Sequence, residues 1–240
     1  MGLLYLRLIE KSWRIRWETQ MGWRLQGVGV LCAIGGVLAC SSPNPNLRAT
    51  RMPDGSIEVK GPLVGPFPTL ETLAMNACAI MTGEPGASNG IYGFEYCALN
   101  YYSPQEKAYF LSYLSDFKNR PDTTTKTCSL PRSLDDPKRK DSIIVGGSHS
   151  HPHNRSFSRP DLSIWSNWNP TRFKGKSTEQ IWDRHLMLFY REKTGECRAY
   201  MYNQTTRIVS ALRNGQWIAI GKAYNDIGDI QMLEGLDWLP

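Results

Sequence analysis

This sequence has no Cys-x-x-Cys pair, no His-Glu-x-x-His run and only four histidines in 240 residues. The first absence argues against a zinc deaminase, which needs Pro-Cys-x-x-Cys together with His-x-Glu. The second argues against the helical zinc proteases, whose two histidines lie one turn apart. A long apolar run is missing too: residues 25–39 are free of charge but glycine-rich and only fifteen long, too short for a confident membrane span. No internal repeat is present. The formal charge of +6 carries little information about partners, because Arg7, Lys11, Arg14, Arg16 and Arg24 sit against Glu10 and Glu18 in the first 39 residues and leave +3 for the rest. That is no nucleic-acid footprint, and none is expected as a partner. The cluster Lys138-Arg139-Lys140 reads as a solvated loop.

What the chain does have is His149-Ser150-His151-Pro152, followed by Phe157-Ser158-Arg159-Pro160-Asp161. In an extended strand, side chains two apart leave the same face, so His149 and His151 can grip one ion together. Residues 142–148 are a short β-branched and glycine run that suits a buried strand arriving at this point. Ser158 and Asp161 have the spacing of N-cap and N3 of a helix entering the run from Leu162 to Trp165. Two imidazoles and a carboxylate, with one position left for water, form the ligand set of a catalytic zinc site. Each piece alone has a plainer reading. A His-x-His pair is common on surfaces, Ser158-x-x-Asp161 can be a capping box and nothing more, and Glu95 among Tyr92, Phe94 and Tyr96 can be an exposed residue of a half-buried strand. His153 reads as a solvated loop residue and His185 as structural.

The combination of His-x-His-Pro with Ser-x-x-Asp and an upstream glutamate resembles the JAMM (MPN-type) metalloprotease family. Residues 69–76, then Asn89-Gly90-Ile91-Tyr92-Gly93-Phe94-Glu95-Tyr96-Cys97-Ala98-Leu99, resemble its bacterial branch, found as C-terminal modules of RHS-repeat toxins and in stand-alone secreted proteins. The likeness runs over residues 68–220, and the loop after Pro152 is one residue shorter than the family's usual spacing. The resemblance implies Zn²⁺ held by His149, His151 and Asp161, Glu95 as general base, and Ser158 as donor to the oxyanion. It also implies a JAMM/MPN-like (cytidine-deaminase-like) α/β fold, a mixed sheet flanked by helices. The reaction implied is hydrolysis of a peptide or isopeptide bond in a peptide or protein substrate. Metal-activated water and a nearby carboxylate that moves its proton are sufficient chemistry for that. A catalytically silent binding or effector-associated module, and a protein whose ion is structural, stay open beside it.

Residues 25–39 read as the apolar core of a signal peptide. The ending Val37-Leu38-Ala39-Cys40-Ser41 resembles a bacterial lipobox, which implies lipidation at Cys40, a lipid anchor in the cell envelope and outer-membrane sorting; plain secretion is the alternative. Met21 makes a compact signal start, with residues 1–20 as an upstream extension. Residues 41–66 are then a Pro-rich tether and entry arm, in which residues 51–65 read as an entry hairpin or irregular arm with its turn at Pro53-Asp54-Gly55. Cys78, Cys97, Cys128 and Cys197 remain for the mature part. In an oxidising compartment they allow three pairings, and Cys97 can instead be a packed small residue near the metal.

Residues 67–240 are enough for one core. A helix is expected over 69–81, capped near Thr69, with Leu73, Ala77 and Ile80 on one side. Strands are expected over 92–101 and 107–115, an insertion over 118–140, which the family resemblance implies helps hold the substrate chain, and hairpins over 184–202 and 207–220. The expected fold class is therefore mixed α/β around one sheet. Trp165, Trp168, Trp182 and Trp217 read as core and groove wall. Oligomeric state is not legible.

Overall fold

The isoleucine and valine run and the small residues after it explain the central strand. β7 (Ile143–His151) is buried along almost its whole length. At its middle, a Cβ on Gly146 would lie 2.3 Å from the His185 carbonyl oxygen, so only glycine fits that approach. The strand is longer than the sequence suggests and carries both histidines within it. The computed structural model describes residues 44–118, 126–163, 172–174 and 181–240. These belong to one compact unit, residues 42–240. The signal segment, Cys40, Trp165 and Trp168 lie outside the described residues, as does any continuation of a helix past Ser163.

Among the described residues, β7 is a central strand of a nine-stranded sheet. On one side it pairs antiparallel with β4 (Cys97–Ser103), which leads to β5 (Ala108–Leu111) and the edge strand β3 (Val64–Phe67). On the other it pairs with β10 (His185–Arg191), the single parallel pairing of this sheet. From β10 an antiparallel meander continues through β11 (Cys197–Asn203), β12 (Ile208–Arg213), β13 (Gln216–Ala223) and β14 (Ile230–Met232). A three-stranded sheet joins β1 (Ala49–Arg51), β2 (Ile57–Lys60) and β6 (Ser133–Asp135), and a two-stranded ribbon joins β8 (Arg172–Lys174) and β9 (Ile181–Asp183).

The helix expected over 69–81 is α1 (Leu70–Gly83), with Thr69 at its N-cap in a reciprocal capping box with Thr72. Its buried stripe is Leu73, Ala74, Ala77, Cys78 and Met81; Ile80 is only half-buried, a correction to the expected face. That stripe packs on Ala98, Met187, Phe189 and Ala199. The opposite face of the sheet carries Leu99, Leu186, Leu188, Tyr200, Tyr202 and Val209, covered by Phe157, Leu162 and Trp238. The alternation of Leu186 and Leu188 against Met187 and Phe189 is the period-two pattern of a strand buried on both faces. The class is therefore mixed α/β, but strongly weighted to β. Among the described residues, α1 covers one face, while loops, the C-terminal segment and the one-turn α2 (Arg159–Leu162) cover the other.

Other expectations shift in detail. The strand expected from residue 92 begins at Cys97, because Gly90–Tyr92 forms a 3-10 turn. The expected insertion at 118–140 contributes β6, which adds parallel to β2. Arg139 is not simply solvated: its guanidinium lies 4.2 Å from the Phe110 ring centroid and pairs with Glu106 and Asp136. The last tether residues are docked, since Asn44 and Asn46 donate to the buried Glu84 at 2.6 and 2.7 Å. Trp182 is buried and Trp217 half-buried, both in the core. The open question of cysteine pairing resolves as Cys78–Cys197 and Cys97–Cys128.

Candidate metal centre

His149 and His151 leave β7 on the face turned away from α1, because His149 is registered with Leu188 and the intervening Ser150 with Phe189. Both rings are buried. Their Nε2 atoms lie 3.1 Å apart. Asp161 comes from α2, on the same side of the sheet, with Oδ2 at 3.6 Å from His149 Nε2 and 3.7 Å from His151 Nε2. One ligand atom from each of the three side chains lies within 4.8 Å of the others. Of the three, Asp161 is the most open to solvent, its side chain 22% exposed against 4% and 5% for the histidines.

Glu95 precedes β4 by two residues and extends its line. Ser150 holds the segment in place: its N–H donates to the Tyr96 carbonyl at 3.0 Å, and its Oγ accepts from the Tyr96 N–H at 3.0 Å. Since Cys97 is registered with His149, Glu95 falls across from His151, and its Oε1 lies 3.7 Å from His151 Nε2. Gly93 makes this approach possible, because a Cβ there would stand 2.4 Å from Pro152 Cβ. The Gly90 N–H also donates to the Pro152 carbonyl at 3.1 Å. The proline of the His-x-His-Pro run is thus the platform on which the glutamate loop rests.

Electrostatics follow from this crowding. Burial pushes the Glu95 carboxyl up to about 7, with His149, the Cys128 backbone N–H and Lys126 pulling the other way. Burial and the neighbouring His149 push the His151 imidazole down to about 4. His149 goes the other way: burial opposes its charge, but Asp161 and Glu95 outweigh burial and hold its pKa above the ordinary value. Burial also opposes charge on Asp161, yet His149, His151 and Ser158 together hold it well below the usual carboxylate range.

Hydrogen bonds set the tautomers. His151 Nδ1 lies 2.9 Å from Asn154 Oδ1, so it carries the proton and leaves an Nε2 lone pair aimed at the centre. Asp161 Oδ2 accepts from the Ser158 N–H at 2.8 Å and from the Ser158 hydroxyl at 2.7 Å. Ser158 therefore orients a candidate ligand, and its hydroxyl points at Asp161. Two buried imidazole nitrogens facing each other across 3.1 Å beside a carboxylate are poorly served by one another alone. As a donor set, two nitrogens and one oxygen fit zinc.

All five residues that the sequence singled out in this region converge here. It missed Asn154, Phe157, whose ring centroid lies 6.1 Å from that of His149, and the Cys128 backbone. Asn154 lies in the turn after Pro152, where a polar residue carries no distinguishing signal, and Cys128 reaches Glu95 only through the fold. His153 is exposed, as expected of a loop residue. Comparison with family models, with curated proteins and with solved structures gave no match.

Proposed function

We propose that this chain is a zinc-dependent peptidase or amidase of JAMM-like type, hydrolysing peptide or isopeptide bonds. The observation that carries the reading is the meeting of His149 Nε2, His151 Nε2 and Asp161 Oδ2 around one point, with the Glu95 carboxylate 3.7 Å from one of them. The antiparallel pairing of β4, whose line Glu95 extends, with the histidine strand, and α1 on the far face of the sheet, support the JAMM/MPN-like reading of the fold.

In this proposal His149, His151 and Asp161 hold the ion, and Asn154 and Ser158 orient two of those ligands. When bound, zinc supplies a Lewis acid and makes water more acidic at that point. Glu95 Oε1 takes a proton from the attacking water and returns it to the leaving nitrogen, so the same carboxyl serves first as base and then as acid. Burial of the Glu95 carboxyl, away from bulk water and beside the proposed ligands, suits it to carry that proton between the two partners. The buried histidine rings and Phe157 restrict bulk water on the sheet side. Ser158 is in this proposal the donor to the attacked oxygen, a role in which its hydroxyl leaves Asp161 Oδ2, the acceptor it serves here. By the same reading Cys40 carries a lipid anchor and the domain works in the bacterial cell envelope.

Zinc stoichiometry of the purified protein, measured with a panel of peptides and muropeptides as substrates, tests the reading. The expected result is about one zinc per chain with cleavage, and loss of both in His149→Ala and Asp161→Ala. Bound zinc without any cleaved bond would leave the silent-module reading in its place.

A further inference from the structure

A groove of about 810 Å³ opens beside the candidate metal centre. Of the three candidate ligands, only Asp161 lines it. Four basic side chains line it as well: Arg51, Lys118, Arg132 and Arg159, against the acidic Asp54 and Asp161. The acidic charges are already engaged. Asp54 Oδ1 accepts from the Ser56 N–H at 2.9 Å and the Ser56 hydroxyl at 2.7 Å, and Arg132 acts on the same carboxylate. Asp161 faces the two histidines. Arg159 is paired with Asp229 at 2.5 Å. Arg51 lies over the Phe117 ring, 5.1 Å from its centroid, a contact that leaves its charge intact. Among the described residues, neither Arg51 nor Lys118 forms an ion pair with an acidic side chain. The groove thus presents surplus positive charge on two exposed side chains, Arg51 from β1 and Lys118 from the segment after β5.

We propose that this groove binds the substrate chain, and that the substrate is an acidic peptide whose carboxylates are read by Arg51 and Lys118. The inference rests on the hydrolase reading only in taking the Asp161 end as the place where the bond is cut. Exposed charges of this kind act mainly through complementarity and encounter rate, and salt screens them. Guanidinium groups match carboxylates in a planar, two-bond geometry, which favours a carboxylate-bearing chain over a merely polar one.

The test is fluorescence anisotropy on the zinc-loaded protein with labelled hexaglutamate, hexalysine, a neutral Gly/Ser peptide and oligothymidylate, at low and high salt. Hexaglutamate is expected to bind tightest and to weaken with salt. The double variant Arg51→Glu/Lys118→Glu is expected to lose roughly tenfold or more in affinity for it, each factor of ten being about 1.4 kcal/mol. Lys222→Glu, on exposed β13 away from the groove, is expected to change nothing. Equal binding of hexaglutamate and the Gly/Ser peptide would overturn the proposal. So would oligothymidylate binding as tightly as hexaglutamate, or a preference for hexaglutamate that survives the double variant. Zinc content is measured on the same samples. Normal zinc without acidic preference overturns the groove assignment alone, whereas acidic preference without zinc supports the groove and removes the metal reading.

Discussion

Cys97 stands directly opposite His149 in the β4–β7 ladder, and its sulfur is bonded to Cys128, whose backbone N–H serves Glu95. One covalent link therefore joins the strand that faces a candidate ligand to the segment that steadies the candidate base. The double variant Cys97→Ser/Cys128→Ser is expected to lose roughly 3–4 kcal/mol of stability, from the chain entropy of a loop of this span. It is also expected to lower turnover more than the corresponding change at Cys78–Cys197, which ties α1 to β11 away from the centre. Chemical denaturation and activity, measured side by side, check this; equal activity losses at the two disulfides would speak against a link to Glu95.

Glu95→Gln keeps shape and removes the proton-carrying group. The variant is expected to bind zinc as the parent does and to lose about 10²- to 10⁴-fold in turnover, the usual contribution of a positioned general base. Unchanged turnover would show that another group moves the proton.

Asn154 accepts from His151 Nδ1 and so fixes which nitrogen faces the centre. Asn154→Ala is expected to weaken zinc binding by roughly 10- to 100-fold, the range found when groups behind a ligand are removed. Competition against a chelating dye gives the number. An unaltered zinc affinity would mean that packing alone orients the ring.

His185 gives a pH effect separable from the metal. Burial lowers its pKa, with Asp183 opposing. Above the unfolded value of about 6.5 both states are neutral; below it the unfolded chain takes up a proton that the folded chain resists, so stability falls as pH drops from there toward the lowered folded value. Denaturant melts at pH 7 and pH 5 with EDTA present should show a smaller loss in His185→Leu than in the parent. Matching losses would assign the acid sensitivity to other groups.

The candidate site was legible because its residues are close in sequence and their order encodes geometry. The i, i+2 spacing of His149 and His151 is a statement about one face of a strand, and Ser158-x-x-Asp161 about one helix turn. Glu95 was legible only through resemblance, since its approach depends on the β4–β7 register and on the missing side chain at Gly93. α1 and the two hairpins followed from period and turn chemistry. In the small sheet the β1–β2 hairpin follows from the turn at Pro53-Asp54-Gly55, whereas β6 was not foreseen, because it is three residues long and joins β2 from a distant part of the chain. The cationic groove was likewise hidden, as Arg51, Lys118 and Arg132 are scattered along the chain and meet only after folding.

Because β7 and β10 run in the same direction, the connection between them must return by the length of a strand before β10 begins. The two imidazoles are rooted in the ladder, while Asp161 rides on this returning segment. Two of the three candidate ligand atoms are thus fixed by the sheet and the third by the connection. A change in the length of that connection would move the carboxylate while leaving the two imidazoles where the ladder holds them.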